Sequence, residues 1–373
     1  MGLEELWQQL VLPHGTCKVE LFSIANLYPH SDTFENPDSH SNSFSYAYPN
    51  QHSYPNDNKH TGNYRHPHRN GDTNLHNYAH LNRNKHSRDH ALDLSDVIMS
   101  YTHQQWRLLV TPASGGALNM AIDEAILDAV GQNLSLPTLR LYAWEPACLS
   151  IGYAQPNSDV DKQRLLERGW DWVRRPTGGR AILHTDELTY SVIAPQSEPR
   201  VSGGVLESYQ RLSKALLTAL HSLNIPAQAH PIDPTTKMKG NGPVCFEVPS
   251  NYEIVVAGKK LIGSAQARRK NGVLQHGTLP LHGDLTRITQ VLAFSDEKHR
   301  SEAASRLLSH ATTVETILGY KLNWEIAAQA FIAGFQSELD LEFIRVDLSN
   351  QELKVAEKLA EEKYTHPSWL ERI

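Results

Sequence analysis

The chain has 373 residues, with 35 Lys+Arg against 41 Asp+Glu and a formal net charge of −6. That is room for about two domains, and too acidic a balance for a protein that coats nucleic acid. Its 3 cysteines, Cys17, Cys148 and Cys245, are odd in number and widely spaced with no CxxC pair, which argues against a disulfide framework or a zinc knuckle and for a reducing, cytoplasmic setting. No apolar run approaches the roughly 18 to 20 residues that span a bilayer, and Glu4 and Glu5 stand where a secretory signal carries basic residues, so neither membrane insertion nor export is expected.

Residues 1–30 form an N-terminal extension of undecided structure. Leu3, Leu6 and Leu10 lie at helical spacing before VELFSIANL, which suits either a docked helix and strand or a plain upstream extension. Residues 31–92 differ sharply: from 31 to 90 the only Ile, Leu or Val are Leu75 and Leu81, and Asn and His dominate. Such a segment buries too little to offset about 1–2 kcal/mol of backbone entropy per ordered residue, so it is expected to be disordered. Its histidines are irregularly spaced and lack accompanying carboxylates or thiols. They read as a solvated low-complexity tract, and no metal site is expected.

From about Gln104 the pattern becomes that of a mixed α/β domain, expected to span 104–345. Leu118, Ala121, Ile122, Ala125, Ile126, Ala129 and Val130 recur at helical spacing, with Asp123 and Glu124 assigned to the wet side. Two strands follow at 137–144 and 148–153, then a helix opened by Ser158 and closed by Gly169. Residues 187–194 alternate as a strand, and Leu206 to Leu223 mark a long helix that stops near Asn224 and Pro226. YEIVV, KLIGSAQA and VLQHGTLPL form an antiparallel meander, its second turn signalled by Asn271-Gly272. One helix is expected over 324–339. In the closing segment, 346–373, another starts at Ser349, where Ser349 and Glu352 make a capping box.

Three clusters carry chemistry. In Arg174-Arg175-Pro176-Thr177-Gly178-Gly179-Arg180, which leads to His184, paired glycines let the backbone approach a ligand, and the guanidiniums suit a carboxylate or phosphate. Without GK[ST] it is not a Walker loop, and a plain glycine turn with solvated arginines explains it as well. Asn241-Gly242-Pro243-Val244-Cys245-Phe246 puts a thiol in a breaker-rich loop, whereas Cys148 lies among strand residues and reads as core. In Gly258-Lys259-Lys260-Leu261-Ile262-Gly263-Ser264-Ala265-Gln266, followed by Gln275-His276-Gly277-Thr278, alternation sends Lys260 to the face opposite Lys259 and Leu261. An ammonium there lowers the pKa of a nearby thiol, which makes Cys245 and Lys260 a plausible pair, although a lysine at a hairpin end is often merely solvated. Small residues at Gly263, Ser264 and Ala265 leave room for an unbranched chain. Lys259, Lys260, Arg268, Arg269 and Lys270 form a basic run suited to an acidic partner, or to solvent.

RRPTGGRAILH, NMAIDEAIL, LSIGYAQ, CFEVPSNYEIVVAGKKLIGSAQARR and the HGTL strand together resemble the biotin/lipoate protein ligase superfamily, and within it the cysteine-dependent octanoyltransferases of lipoate assembly. The resemblance covers about 104–370. It implies an α+β fold with a mixed, largely antiparallel sheet packed with helices. It also implies that an octanoyl group from acyl carrier protein is held as a thioester on Cys245 and passed to a lysine of a lipoyl domain or of the glycine-cleavage H protein. The implied catalytic residues are Cys245 and Lys260. Arg174, Arg175, Thr177, Gly178, Gly179, His184, Gly263, Ser264, Ala265, His276 and Gly277 are implied around the acyl group, the two histidines as pocket lining or as braces.

On this reading no cofactor is required. The rival is an ATP-dependent lipoate-protein ligase working through lipoyl-adenylate with ATP and magnesium; it shares Lys260 but has no need of the thiol. An amidotransferase between lipoyl proteins and a non-enzymatic lipoyl-protein binding domain are the further alternatives.

Overall fold

The computed structural model describes residues 103–231 and 252–373. The expectations for residues 1–92 and for Cys245 lie outside the described residues. In chain order, β1 (Gln104–Val110), α1 (Gly116–Gly131), β2 (Thr138–Tyr142) and β3 (Cys148–Ile151) lead to a 3-10 turn at Asn157–Asp159 and to α2 (Lys162–Glu167). Then come β4 (Asp171–Arg174), β5 (Ile182–His184), β6 (Glu187–Pro195), α3 (Val205–Ser222) and β7 (Gln228–Pro231). The meander is β8 (Tyr252–Val256), β9 (Lys259–Arg269) and β10 (Gly272–Pro280), followed by a 3-10 turn at Leu285–Gln290. The chain continues with α4 (Glu297–His310), α5 (Val314–Leu318), α6 (Trp324–Leu339), β11 (Leu341–Arg345), α7 (Asn350–Leu359), a π turn at Ala360–Tyr364 and α8 (Pro367–Leu370).

The strands form an eight-stranded sheet in the order β11-β1-β2-β6-β10-β9-β8-β7 and a three-stranded sheet in the order β4-β3-β5. β1 runs parallel to β11 and β2, and every other pairing of the large sheet is antiparallel. The expected mixed, largely antiparallel sheet packed with helices is therefore present. Both meander turns place two successive residues at positive φ, Ala257-Gly258 and Lys270-Asn271. That geometry matches the twist of a hairpin, and it sits one residue earlier than Asn271-Gly272 suggests.

One face of the large sheet buries Leu141, Tyr190, Val192, Ile254 and Ile262 against Leu212, Leu216 and Leu220 of α3 and Phe331 and Phe335 of α6. Each such side chain contributes about 1.5–3 kcal/mol on leaving water. The other face packs Tyr142, Ile193 and Leu274 against α1, which is covered in turn by Ala356 of α7 and by Tyr364.

This second layer corrects the expectation for α1. Asp123 and Glu124 are not on a wet side; they are 0% and 2% exposed. The helix is apolar around most of its circumference because it is enclosed from both sides, so its acids need buried partners. Asp123 accepts from Arg140 Nη1 at 2.8 Å, Tyr142 Oη at 3.1 Å and Ser191 Oγ at 3.0 Å. Glu124 takes Lys363 and the Tyr364 hydroxyl.

The helix expected from Ser158 also differs: Asp161, whose side chain accepts from Arg164 N at 3.1 Å, is the N-cap. The Ser349–Glu352 capping box forms as expected.

Candidate active site

Lys260 reaches its face through a bulge. Ile254 pairs with Ile262 and Val255 with Lys260, so the β8–β9 register slips by one residue at Leu261. Leu261 and Ile262 both enter the large core, which strict alternation forbids. Counted in twos from Ser264, Lys260 belongs in that core; the slip turns it to the opposite side. There its ammonium meets Glu253 Oε1 at 2.8 Å, with the lysine only 4% exposed. Its carbonyl accepts from Thr312 N at 3.1 Å, which pins the strand.

The remaining motifs converge on this face. His276 pairs across the strands with Ala265 and Ser191, so it shares a side with Gly263 and Ala265. Its Nε2 lies 2.7 Å from Thr177 Oγ1 and its Nδ1 3.4 Å from Asp123 Oδ2, so the Arg-Arg-Pro-Thr-Gly-Gly segment is fastened to the sheet at Thr177. Burial pushes the imidazole pKa down, with Arg175 and His184 adding to that, although Asp123 favours the charged form.

His184 is held by Glu187 Oε1 at 2.6 Å and Ser150 Oγ at 2.8 Å and stacks on Trp144 at 4.0 Å. His276 thus braces the segment that carries the paired glycines directly, and His184 only through Ser150, whose Oγ also accepts from Arg175 Nη1 at 3.2 Å.

Two expectations for side chains differ. The Arg174 and Arg175 guanidiniums do not extend toward an anion. Arg174 donates to the carbonyls of Gly152, Tyr153, Gln155, Trp369 and Leu370, and Arg175 to those of Ser150, Gly178 and Arg180. A buried guanidinium must satisfy its fixed fork of donors, and the curled backbone around it supplies the acceptors. Ser264 and Gly277 point to the other face. Ser264 Oγ lies 2.8 Å from the Tyr190 hydroxyl, and a Cβ on Gly277 would meet Ser264 Oγ and the edge of the Tyr190 ring.

Gly178 has open space where a Cβ would stand, whereas Gly179 adopts φ +93°. A side chain at Gly152 would strike the carbonyl of Gly179 at 2.0 Å, so the end of β3 and the glycine pair are in backbone contact.

Most of the basic run is engaged locally, although Arg269 Nε and Nη2 are buried without a hydrogen-bond partner. Arg268 donates to Val201 O and Ser208 Oγ, Lys259 to Leu308 O, and Lys270 pairs with Asp128 at 2.7 Å. Sequence reasoning missed Glu253, Glu187 and Ser150. Of these, Glu253 had a usable signal: a lone acid in YEIVV at the period that faces Lys260.

Cys148 is the described thiol. It is fully buried in the α1 layer, and burial, with Asp171 and Glu187 nearby, pushes its pKa well above the ordinary thiol value. Alkylation of the native protein at pH 8 should leave Cys148 unmodified, as mapped by peptide mass after quenching, and denaturant should expose it.

Residues 116–336 match the lipoyl protein ligase A/B catalytic domain. The chain belongs to that family. It is 38% identical to octanoyltransferase LipM of Brevibacillus brevis over 271 residues, covering 71% of this chain and 98% of that protein. With LipM of Kyrpidia tusciae it shares 39% over 270 residues, again 71% and 98%. Among solved structures it resembles a bi-partite lipoate protein ligase from an archaeal lipoylation system, of Thermoplasma acidophilum. The TM-score is 0.60 at 26% identity, over 73% of this chain and 98% of that one. The likeness to the ligase structure agrees with the mixed, largely antiparallel sheet packed with helices. Among the described residues no helix is long and apolar enough to cross a membrane, and no cluster of three or more potential metal ligands occurs.

Proposed function

We propose that the chain takes an octanoyl group from acyl carrier protein onto Cys245 as a thioester and delivers it to a lysine of a lipoyl domain or of the glycine-cleavage H protein. Octanoyl transfer in lipoate assembly is the activity of this enzyme. The observation that carries it is the match to octanoyltransferases of the LipM type at 35–39% identity over nearly their whole length. The remainder of the reading is chemical.

A thiolate exchanges one thioester for another with little change in free energy, and formation of the amide supplies the downhill step, so no nucleotide or metal cofactor is needed. In the first step the Lys260 ammonium stabilises the thiolate and the oxyanion and gives a proton to the departing carrier thiolate; in the second the neutral amine so formed takes the proton from the incoming lysine amine as the amide bond forms and the Cys245 thiolate leaves. Glu253 holds the ammonium on the acyl side of β9. The backbone of Thr177 to Gly179, braced by His276, Arg175 and His184, borders the same face and can lie against the acyl chain without side chains in the way. A nucleophile that must remain a free thiol fits a reducing compartment, and we place the enzyme in the cytoplasm.

The archaeal neighbour is described as a ligase, which keeps the ATP-dependent, adenylate-forming route as the second reading. One experiment separates the two. The protein is mixed with octanoyl acyl carrier protein without ATP, and its intact mass is followed. Gain of one octanoyl group on Cys245, lost on hydroxylamine treatment, is expected. No adduct without ATP, and acyl transfer once ATP and magnesium are added, would replace the transferase with the ligase.

A further inference from the structure

The residues after Tyr364 touch the site from outside the sheet. Arg174 Nε donates to Trp369 O at 3.1 Å and its Nη2 to Leu370 O at 2.8 Å, while Trp369 Nε1 donates back to Arg174 O at 2.8 Å. The same guanidinium spans to Gly152 O at 3.0 Å and Gln155 O at 2.6 Å, so one fully buried side chain, rooted where the glycine loop begins, ties the closing segment to the loop that follows β3. Those loops hold each other at the glycine pair: Tyr153 N donates to Thr177 O at 2.8 Å, and Gly152 abuts the carbonyl of Gly179. Tyr153 is also gripped from above, with the Arg372 guanidinium 4.0 Å from its ring centre and the Trp369 ring at 5.8 Å. Farther along, Asn157 N donates to Ile373 O at 3.0 Å. The other end of the segment is anchored on α1, where the Tyr364 hydroxyl and Lys363 share Glu124.

We propose that residues 364–373 are a positioning latch for the Thr177–Gly179 backbone, with the reciprocal Trp369–Arg174 hydrogen bonds as its closure. The latch touches no reacting atom. It fixes the depth at which the paired glycines stand over the acyl face, so it governs entry of the octanoyl group rather than its departure. Preorganisation of this kind is worth most where backbone must lie within van der Waals reach of a ligand. The kinetic part of the proposal rests on the octanoyltransferase reading; the structural part does not.

Two variants of the full chain test it, Trp369→Phe and Trp369→Ala. Phe keeps a ring between Tyr153 and Tyr364 but removes the donor to Arg174 O; Ala removes both. The first readout is hydrogen–deuterium exchange of the amides from Arg175 to Arg180 without substrate. It should speed up in Trp369→Phe by about 5-fold or more while the exchange of β6 and β10 stays unchanged. The second is single-turnover octanoyl loading of Cys245 and its dependence on donor concentration. The donor concentration for half-maximal loading should rise about 10-fold in Trp369→Ala, with transfer out of the preloaded enzyme within about 2-fold of the parent.

Unchanged exchange in Trp369→Phe overturns the latch. Equal slowing of loading and of outward transfer in Trp369→Ala overturns its assignment to acyl entry. If the parent protein forms no octanoyl adduct, the transferase reading fails, and the exchange measurement still decides the latch. If Trp369→Ala does not fold, Trp369→Phe carries both measurements.

Discussion

Cys245→Ala is expected to form no octanoyl thioester and to lose transfer by on the order of 10⁴-fold or more, because the covalent intermediate has no other place to form. The described cysteine, Cys148, cannot replace it: it is sealed under α1 and its neutral form is favoured by burial. Lys260→Ala is the informative companion. Its ammonium lies on the face shared by Gly263 and Ala265 and is held by Glu253 at 2.8 Å. Loss of a group that stabilises developing negative charge or moves a proton costs about 10²- to 10⁴-fold.

Serving both half-reactions, Lys260 should slow both loading and transfer when removed; serving thiolate formation alone, it should slow loading only. Rapid quenching followed by intact-mass measurement separates the two, and a melting curve shows whether Glu253 left without its cation unfolds the strand. Transfer that survives in Cys245→Ala and demands ATP would remove the thioester route. Lys260→Ala with parental rates in both steps would leave the lysine a structural partner of Glu253.

Much of this architecture was legible in the residues. The meander was readable because β8 to β10 carry period-two patterns broken by glycine turns. The helix at 324–339 was readable because its apolar residues face one layer. What could not be read were features fixed by distant segments. β1 and β11 pair in parallel across more than two hundred residues, and no local pattern announces such a partner.

Alternation rightly set Lys260 opposite Lys259 and Leu261, but it could not show the bulge at Leu261 that also buries Ile262 and so lets Lys260 share a side with Gly263 and Ala265, since register is decided by which residues the facing strand offers. The arginines of Arg-Arg-Pro-Thr-Gly-Gly looked like anion receptors because their type and spacing suit one. Their five- and three-carbonyl coordination exists only once β3, the glycine pair and the closing segment have come together. Asp123 was misplaced for the same reason. A helix of apolar residues with two acids looks amphipathic until a further helix covers its second side.

Asp123→Ala is expected to be among the most destabilising single changes in the described fold, by about 3–5 kcal/mol, because it leaves the fully buried Arg140 guanidinium without its counter-charge. It also strips the acceptor from Tyr142, Ser191 and His276. Asp123→Asn keeps the volume and one acceptor and should cost less, about 1.5–3 kcal/mol, since a hydrogen bond to a charged group becomes a neutral one. Urea unfolding midpoints give both figures.

The pH dependence is a sharper check. Burial opposes ionisation of Asp123, yet Arg140 and His276 outweigh it and hold the carboxyl below its ordinary value. The unfolded chain then takes up this proton first as acid is added. The contribution of Asp123 is complete above about pH 3.9 and is lost as pH falls through the lower folded value. His276 acts higher on the scale. Its depressed folded pKa means that the unfolded imidazole protonates below about pH 6.5 while the folded one resists, so stability declines from there as pH falls toward the folded value.

The groups around this imidazole are Asp123, Thr177, Arg175 and His184. Only Asp123 favours its charged form. Removing that charge in Asp123→Asn depresses the imidazole further, so the decline that begins near pH 6.5 should extend to lower pH while the later carboxyl stage vanishes. Parallel curves for parent and Asn variant from pH 7 to 4 would show that His276 does not sense Asp123. The brace from α1 through His276 to Thr177 would then be a contact without energetic coupling.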